Sequence, residues 1–162
     1  MYSTPPLERD VEVTGPLTVT LWAATSAPDT DFTAKLVDVC AHGCARNLTD
    51  GIIRARYRDS RLTPSLVEPA RVYRYTIDLW ATSNVFKAGH RIRVEISSSN
   101  FPRFDRNPNT GKQVAEDSDF QPALQTILHN AQYPSHITLP IVPRAGGGVS
   151  LQSPGHRVPV NA

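Results

Sequence analysis

The chain has no long apolar run, no dominant charge and almost no sulfur, and each shortage removes a class of answer. Across 162 residues no hydrophobic stretch approaches the roughly 20 residues a helix needs to cross a bilayer, so no membrane span is expected. The first residues are polar and proline-rich, without the charged start and apolar centre of a secretory leader, and they leave the compartment open. A formal charge of +2, from 17 Lys and Arg interspersed with 15 Asp and Glu, gives no basic face for nucleic acid or an anionic membrane. The only 2 cysteines lie in Cys40-Ala41-His42-Gly43-Cys44. With His42 they are soft ligands, but a structural zinc takes four, usually from two paired clusters, and no second cluster follows. They flank a tight turn where a bridge is within reach but not forced, and reduced, packed thiols are the expected state. No metal or cofactor is expected.

Turn formers are plentiful. Proline (14) and glycine (9) recur between short alternating segments, which favours an all-β architecture in a chain the size of one domain. Leu17, Val19, Leu21 and Ala23 alternate with Thr18, Thr20 and Trp22 after a Gly15-Pro16 turn. Phe32 to Cys40 is apolar on both faces, as in a central strand covered on both sides. Ala41-His42-Gly43 then turns the chain into a hairpin, and Ile53, Ala55 and Tyr57 alternate with Arg54, Arg56 and Arg58. Tyr73, Tyr75, Ile77 and Leu79 form a further strand, with turns expected at Ser83-Asn84 and Ala88-Gly89, and Ile137, Leu139 and Ile141 another. Between them, Leu124, Ile127 and Leu128 fit a helical stripe, although extended structure is favoured for Ala123 to Asn130. The pattern argues for a sandwich without choosing its topology.

The segment from Gly89 to Gly111 is the most informative. Ile92, Val94 and Ile96 alternate with Arg91, Arg93 and Glu95, and Ser97-Ser98-Ser99-Asn100 then opens a polar loop. Pro102, Asn107-Pro108 and Asn109-Thr110-Gly111 supply its turn chemistry, and Phe101 and Phe104 sit among the polar residues. This stretch resembles the C-terminal domain of the cocaine esterase and X-Pro dipeptidyl-peptidase type of serine hydrolases. So do Tyr2 to Glu8, Val13-Thr14-Gly15-Pro16, Asp29 to Val39, Gly51 to Arg58, and Pro134-Ser135-His136 to Pro140, in the same order. The resemblance implies a jelly-roll, galactose-binding-like β-sandwich over residues 1–143. Beyond it, Gly146-Gly147-Gly148 and a Ser-, Pro- and Gln-containing stretch read as a flexible tail, residues 144–162. Cys40 and His42-Gly43 depart from relatives, which commonly carry an aromatic and an Asp-Gly turn there. In relatives the jelly roll also begins several strands before the Tyr2 block. A sandwich without its first strands is therefore expected, with exposed sheet edges that favour self-association.

That family performs acyl transfer with a serine, a histidine and an acid carried by a preceding α/β-hydrolase domain. Its nucleophile sits on a Gly-x-Ser-x-Gly turn, which does not occur here. Ser97, Ser98 and Ser99 are expected to finish a strand, and His90, His129 and His136 to be structural or surface imidazoles. Asp29-Thr30-Asp31 offers too few oxygens for calcium and reads as turn and strand-start chemistry. Arg54, Arg56 and Arg58 read as a solvated strand face. Trp22, Trp80, Tyr73 and Tyr75 would suit a sugar platform, but the tyrosines belong to the inward set of their strand and are expected in the core. No catalytic residue is nominated.

Two readings lead, and a third, an independent hydrolase, would need a catalytic serine that no motif here supplies. The first is a non-catalytic accessory domain that packs on an α/β-hydrolase catalytic domain and helps wall its substrate cleft. Its interface candidates are Asp31 and Phe32 at one turn and Asn100, Phe101, Arg103, Phe104, Asp105 and Asn107 in the long loop, where aromatics sit beside polar anchors, the alternative for each being a local hairpin plug. The second is a free-standing carbohydrate- or ligand-binding module, a common use of jelly rolls.

Overall fold

The computed structural model describes residues 1–114 and 117–143, and the backbone of 156–159. Alternation sorts the apolar residues onto one face of each strand, and two antiparallel sheets close over them as a sandwich. The first sheet has the order β1 (Tyr2–Ser3), β6 (Arg91–Ser97), β3 (Asp31–Val39), β4 (Ala45–Arg54). In the second, β5 (Tyr73–Phe86) pairs β2 (Val11–Thr25), whose far edge is shared by β7 (Gln125–Leu128) and β8 (His136–Leu139). The backbone of β9 (His156–Pro159) adds to β8; the rest of the expected tail, 144–155 and 160–162, lies outside the described residues. Val13, Leu17, Val19, Leu21, Tyr75, Ile77 and Leu79 from one sheet meet Phe32, Ala34, Leu36, Ile92 and Val94 from the other. Strand β3 is buried along both faces, as its composition predicts.

Several local expectations are corrected. Gly15-Pro16 is no turn, because β2 runs through it. The register against β5 shifts between Pro16 and Thr18, so that β5 carries the extra residue, and Trp80 takes a left-handed φ of 63° there. Beside the bulge, β5 meets β4 of the other sheet. The Thr49 hydroxyl donates to the Leu79 carbonyl at 2.6 Å. A Cβ on Gly51 would stand 1.9 Å from the Asp78 carbonyl oxygen, so only glycine allows this approach. Strand β5 continues through Ser83-Asn84 to Phe86. Strand β4 ends at Arg54, and Ala55–Tyr57 is a turn of 3-10 helix. Gln125–Leu128 is extended, as favoured, whereas Ile141 makes only an isolated bridge to Val13. Tyr75 is fully buried and Tyr73 packs against the core, while Trp80 is exposed.

The cysteines are also corrected: Cys40 and Cys44 are joined in a disulfide. The turn between β3 and β4 brings their Cα atoms to 5.3 Å, inside bridging range, and leaves them at the surface instead of packed in a core.

Candidate domain interface

At the end of the sandwich where β3 begins, three connections converge: residues 26–30, 55–72 and, of the third, 98–114 and 117–124. They are fastened by buried charge. Asp29, fully buried, accepts from the Arg56 backbone N–H at 3.0 Å and from Arg56 Nε at 2.8 Å. Asp31 accepts from Arg54 Nε at 2.9 Å and Nη2 at 3.1 Å. This two-pronged contact is the main reason the Arg54 guanidinium holds its proton more tightly than an isolated arginine. The 3-10 turn at Ala55 directs Arg56 inward, and Arg58 donates to the carbonyls of Ala55 and Ser65 while lying over the Tyr73 ring. The arginine triplet is therefore not a solvated face. Each side chain braces this end of the fold.

Asn107 ties the long loop to these carboxylates. Its Nδ2 donates to Asp29 Oδ2 at 2.8 Å and to Asp31 Oδ1 at 2.9 Å, and its Oδ1 accepts from the Asn109 N–H at 2.9 Å. Arg56 Nη2 reaches the same loop at the Lys112 carbonyl, 2.8 Å away. Asn109, with a left-handed φ of 65°, donates to the Gln121 carbonyl and so closes the loop on itself.

A second anchor lies on β4. Asp50, buried, accepts from Asn100 Nδ2 at 3.1 Å. Arg103 Nε stands 3.0 Å from the other carboxylate oxygen, an ion-pair contact outside hydrogen-bond alignment. Asp50 alternates with the inward set of its strand and is cross-strand neighbour of Lys35. The loop is thus strapped over the outer face of the first sheet, pinned at Asp50 and again at Asp29 and Asp31.

The strap turns its aromatics outward. Phe101 is 64% exposed and Phe120 56% exposed, and the Arg106 guanidinium lies 5.6 Å from the first ring centre and 4.7 Å from the second. Arg103 lies over the half-buried Phe104 ring at 5.6 Å. The interface candidates therefore divide. Phe101, Arg103, Phe104 and Asp105 face outward or partly so, Asn100 and Asn107 are anchors, and Asp31 and Phe32 are sealed within the chain. Arg106 and Phe120 were not nominated from sequence; the signal for Phe120 was a large aromatic in a polar stretch with no strand alternation. Elsewhere, His90 Nδ1 is 2.8 Å from Asp38, His129 meets the edge of Tyr2, and His136 Nδ1 is 2.7 Å from the Pro134 carbonyl. Among the described residues no cluster of three or more His, Cys, Asp or Glu is placed to hold a metal ion.

Two antiparallel sheets with a braced loop at one end define an all-β sandwich domain with an outward-facing aromatic site. Residues 1–138 match the family model described as the X-Pro dipeptidyl-peptidase C-terminal non-catalytic domain, and the chain belongs to that family. It is 50% identical over 145 residues to the cocaine esterase of Rhodococcus sp. (strain MB1 Bresler), covering 88% of this chain and 25% of that protein. A crystal structure of an aminopeptidase from a marine sediment archaeon, Thaumarchaeota archaeon, superposes with a TM-score of 0.83 at 32% identity, covering 87% of this chain and 25% of that one. An alpha-amino acid ester hydrolase gives a TM-score of 0.83 at 32% identity over 86% and 25% of the two chains. The chain thus spans about a quarter of the length of the relatives it matches.

Proposed function

We propose that this non-catalytic domain packs on an α/β-hydrolase catalytic domain through the face of its long loop and contributes part of the wall of the substrate cleft. The observation that carries this reading is the strap. Its anchors are buried side chains of the domain itself, while its aromatic rings point outward from a braced backbone. Ordering an interface loop in advance lowers the entropy lost on association. Exposed Phe beside Arg is the composition enriched at interface centres. Acyl transfer would belong to the catalytic domain, with ester or aminoacyl substrates of the kind the relatives' names indicate.

The test is a chimera of the Rhodococcus cocaine esterase in which the matched segment is replaced by residues 1–143 of this chain. Packing predicts retained esterase activity and a junction that resists limited proteolysis, and a contribution to the cleft predicts a KM different from the parent's. An active chimera with the parental KM would remove the cleft wall from the reading. A junction cut as readily as a free linker, with the sandwich intact, would remove the packing.

A further inference from the structure

Arg106 differs from the arginines that brace this end of the fold. Arg54, Arg56, Arg58 and Arg103 each have a carboxylate or carbonyl partner within the domain. Among the described residues Arg106 has ring contacts alone, to Phe101 and Phe120. The rings hold the guanidinium by cation–π attraction and restrict its side chain, while its N–H edges remain available. A planar fork of donors set between two exposed apolar rings is complementary to a carboxylate surrounded by apolar surface. Asp29, Asp31 and Asp50 are buried and already paired, and among the described residues no other carboxylate, the exposed neighbour Asp105 included, forms an ion pair with Arg106.

We propose that Phe101, Arg106 and Phe120 form the docking anchor of this domain, and that its occupant is a patch of the catalytic domain carrying one Asp or Glu among apolar side chains. The proposal rests on the packing reading above and adds its chemistry. On docking, the two rings lose water, the carboxylate accepts two N–H bonds from Arg106, and the aromatic rim excludes solvent from the pair. Such a centre concentrates binding energy in few residues. Arg103, already engaged with Asp50, steadies the neighbouring strap.

The experiment uses the same chimera, with Arg106→Glu, Arg106→Leu and Arg106→Lys, and reads the rate of proteolytic clipping at the junction, which follows the undocked population when reclosing is fast. Glu, placing like charges together, raises clipping most, by about tenfold or more; Leu raises it less, and Lys least. The thermal midpoint of the isolated chain stays unchanged by all three, which separates docking from folding. Equal effects of Leu and Glu would overturn the carboxylate, leaving an apolar contact. A resistant chimera indifferent to Arg106→Glu would overturn the anchor while the packing reading stands. A parent chimera clipped like a free linker would overturn both.

Discussion

The two ends of β3 are fastened in different ways. At Asp31 the strand enters a network that ties Asp29 to Arg56, 27 residues away, and to Asn107, 78 residues away. At Val39 it enters a turn closed covalently between Cys40 and Cys44, a sequence separation of 4. There the nearby Asp38 is shared by His90 and the exposed Arg46. One end gathers distant segments around buried charge; the other closes a short loop in place. The interface candidates lie at the first end, because only a long-range network can hold a long loop in one arrangement over a sheet. A local staple fixes its own turn and little else.

The largest effect should come from cutting the network at its most buried member. Asp29→Ala leaves the Arg56 guanidinium buried without its carboxylate, a loss of about 3–5 kcal/mol, read as a lower urea midpoint. Asn107→Ala removes the amide that serves two carboxylates at once and should cost about 1.5–3 kcal/mol. Hydrogen exchange should show faster opening of the loop N–H groups in the Asn107 variant, with β2 and β5 protected. An Asn107 variant with unchanged loop protection would mean that Asp50, not the Asp29 and Asp31 carboxylates, holds the strap.

A smaller effect is expected at the other end. Replacing Cys40 and Cys44 together by Ser reopens a short loop, for which loop-closure entropy gives at most about 2 kcal/mol. Faster exchange should be confined to the turn and the adjoining ends of β3 and β4. A loss equal to that of Asp29→Ala, or faster exchange in the long loop, would erase the distinction between the two ends.

The same distinction decides what the sequence reveals. Strands β2, β3, β5 and β6 were legible because alternation is a local property, and burial acts on it directly. Gly15-Pro16 misled because a turn signal was absorbed by a bulge on the partner strand, where Trp80 takes the irregular conformation. Arg54, Arg56 and Arg58 misled more deeply. Local spacing gives a charged strand face, yet the chain turns into 3-10 helix at Ala55, and the partner of Arg56 lies outside any local window. In the loop, the turn residues and aromatics were visible, but which would be anchors and which would face outward depended on Asp50 and Asp29 across the fold. The aromatic site depended further on Phe120, brought to Phe101 only by the loop's closure.

Among the buried polar groups left unmatched near the loop end is the Tyr75 hydroxyl. Tyr75, its ring tilted 48° to that of Phe32 with centres 4.8 Å apart, has a buried hydroxyl without a hydrogen-bond partner among the described residues. Burial pushes its pKa up to about 12, because the phenolate would be stranded in apolar surroundings. A folded-state pKa above the unfolded value of about 10 contributes stability that is complete below pH 10. That contribution is lost as pH rises through 12, since the unfolded chain gives up the proton first. Tyr75→Phe keeps the ring and removes the unpaired hydroxyl, so at neutral pH stability should hold or rise by no more than about 1 kcal/mol. Above pH 10 the variant should lose less stability than the parent, measured by urea midpoints at successive pH values. If Tyr75→Phe instead costs stability at neutral pH, the hydroxyl has a partner and the network extends into the core.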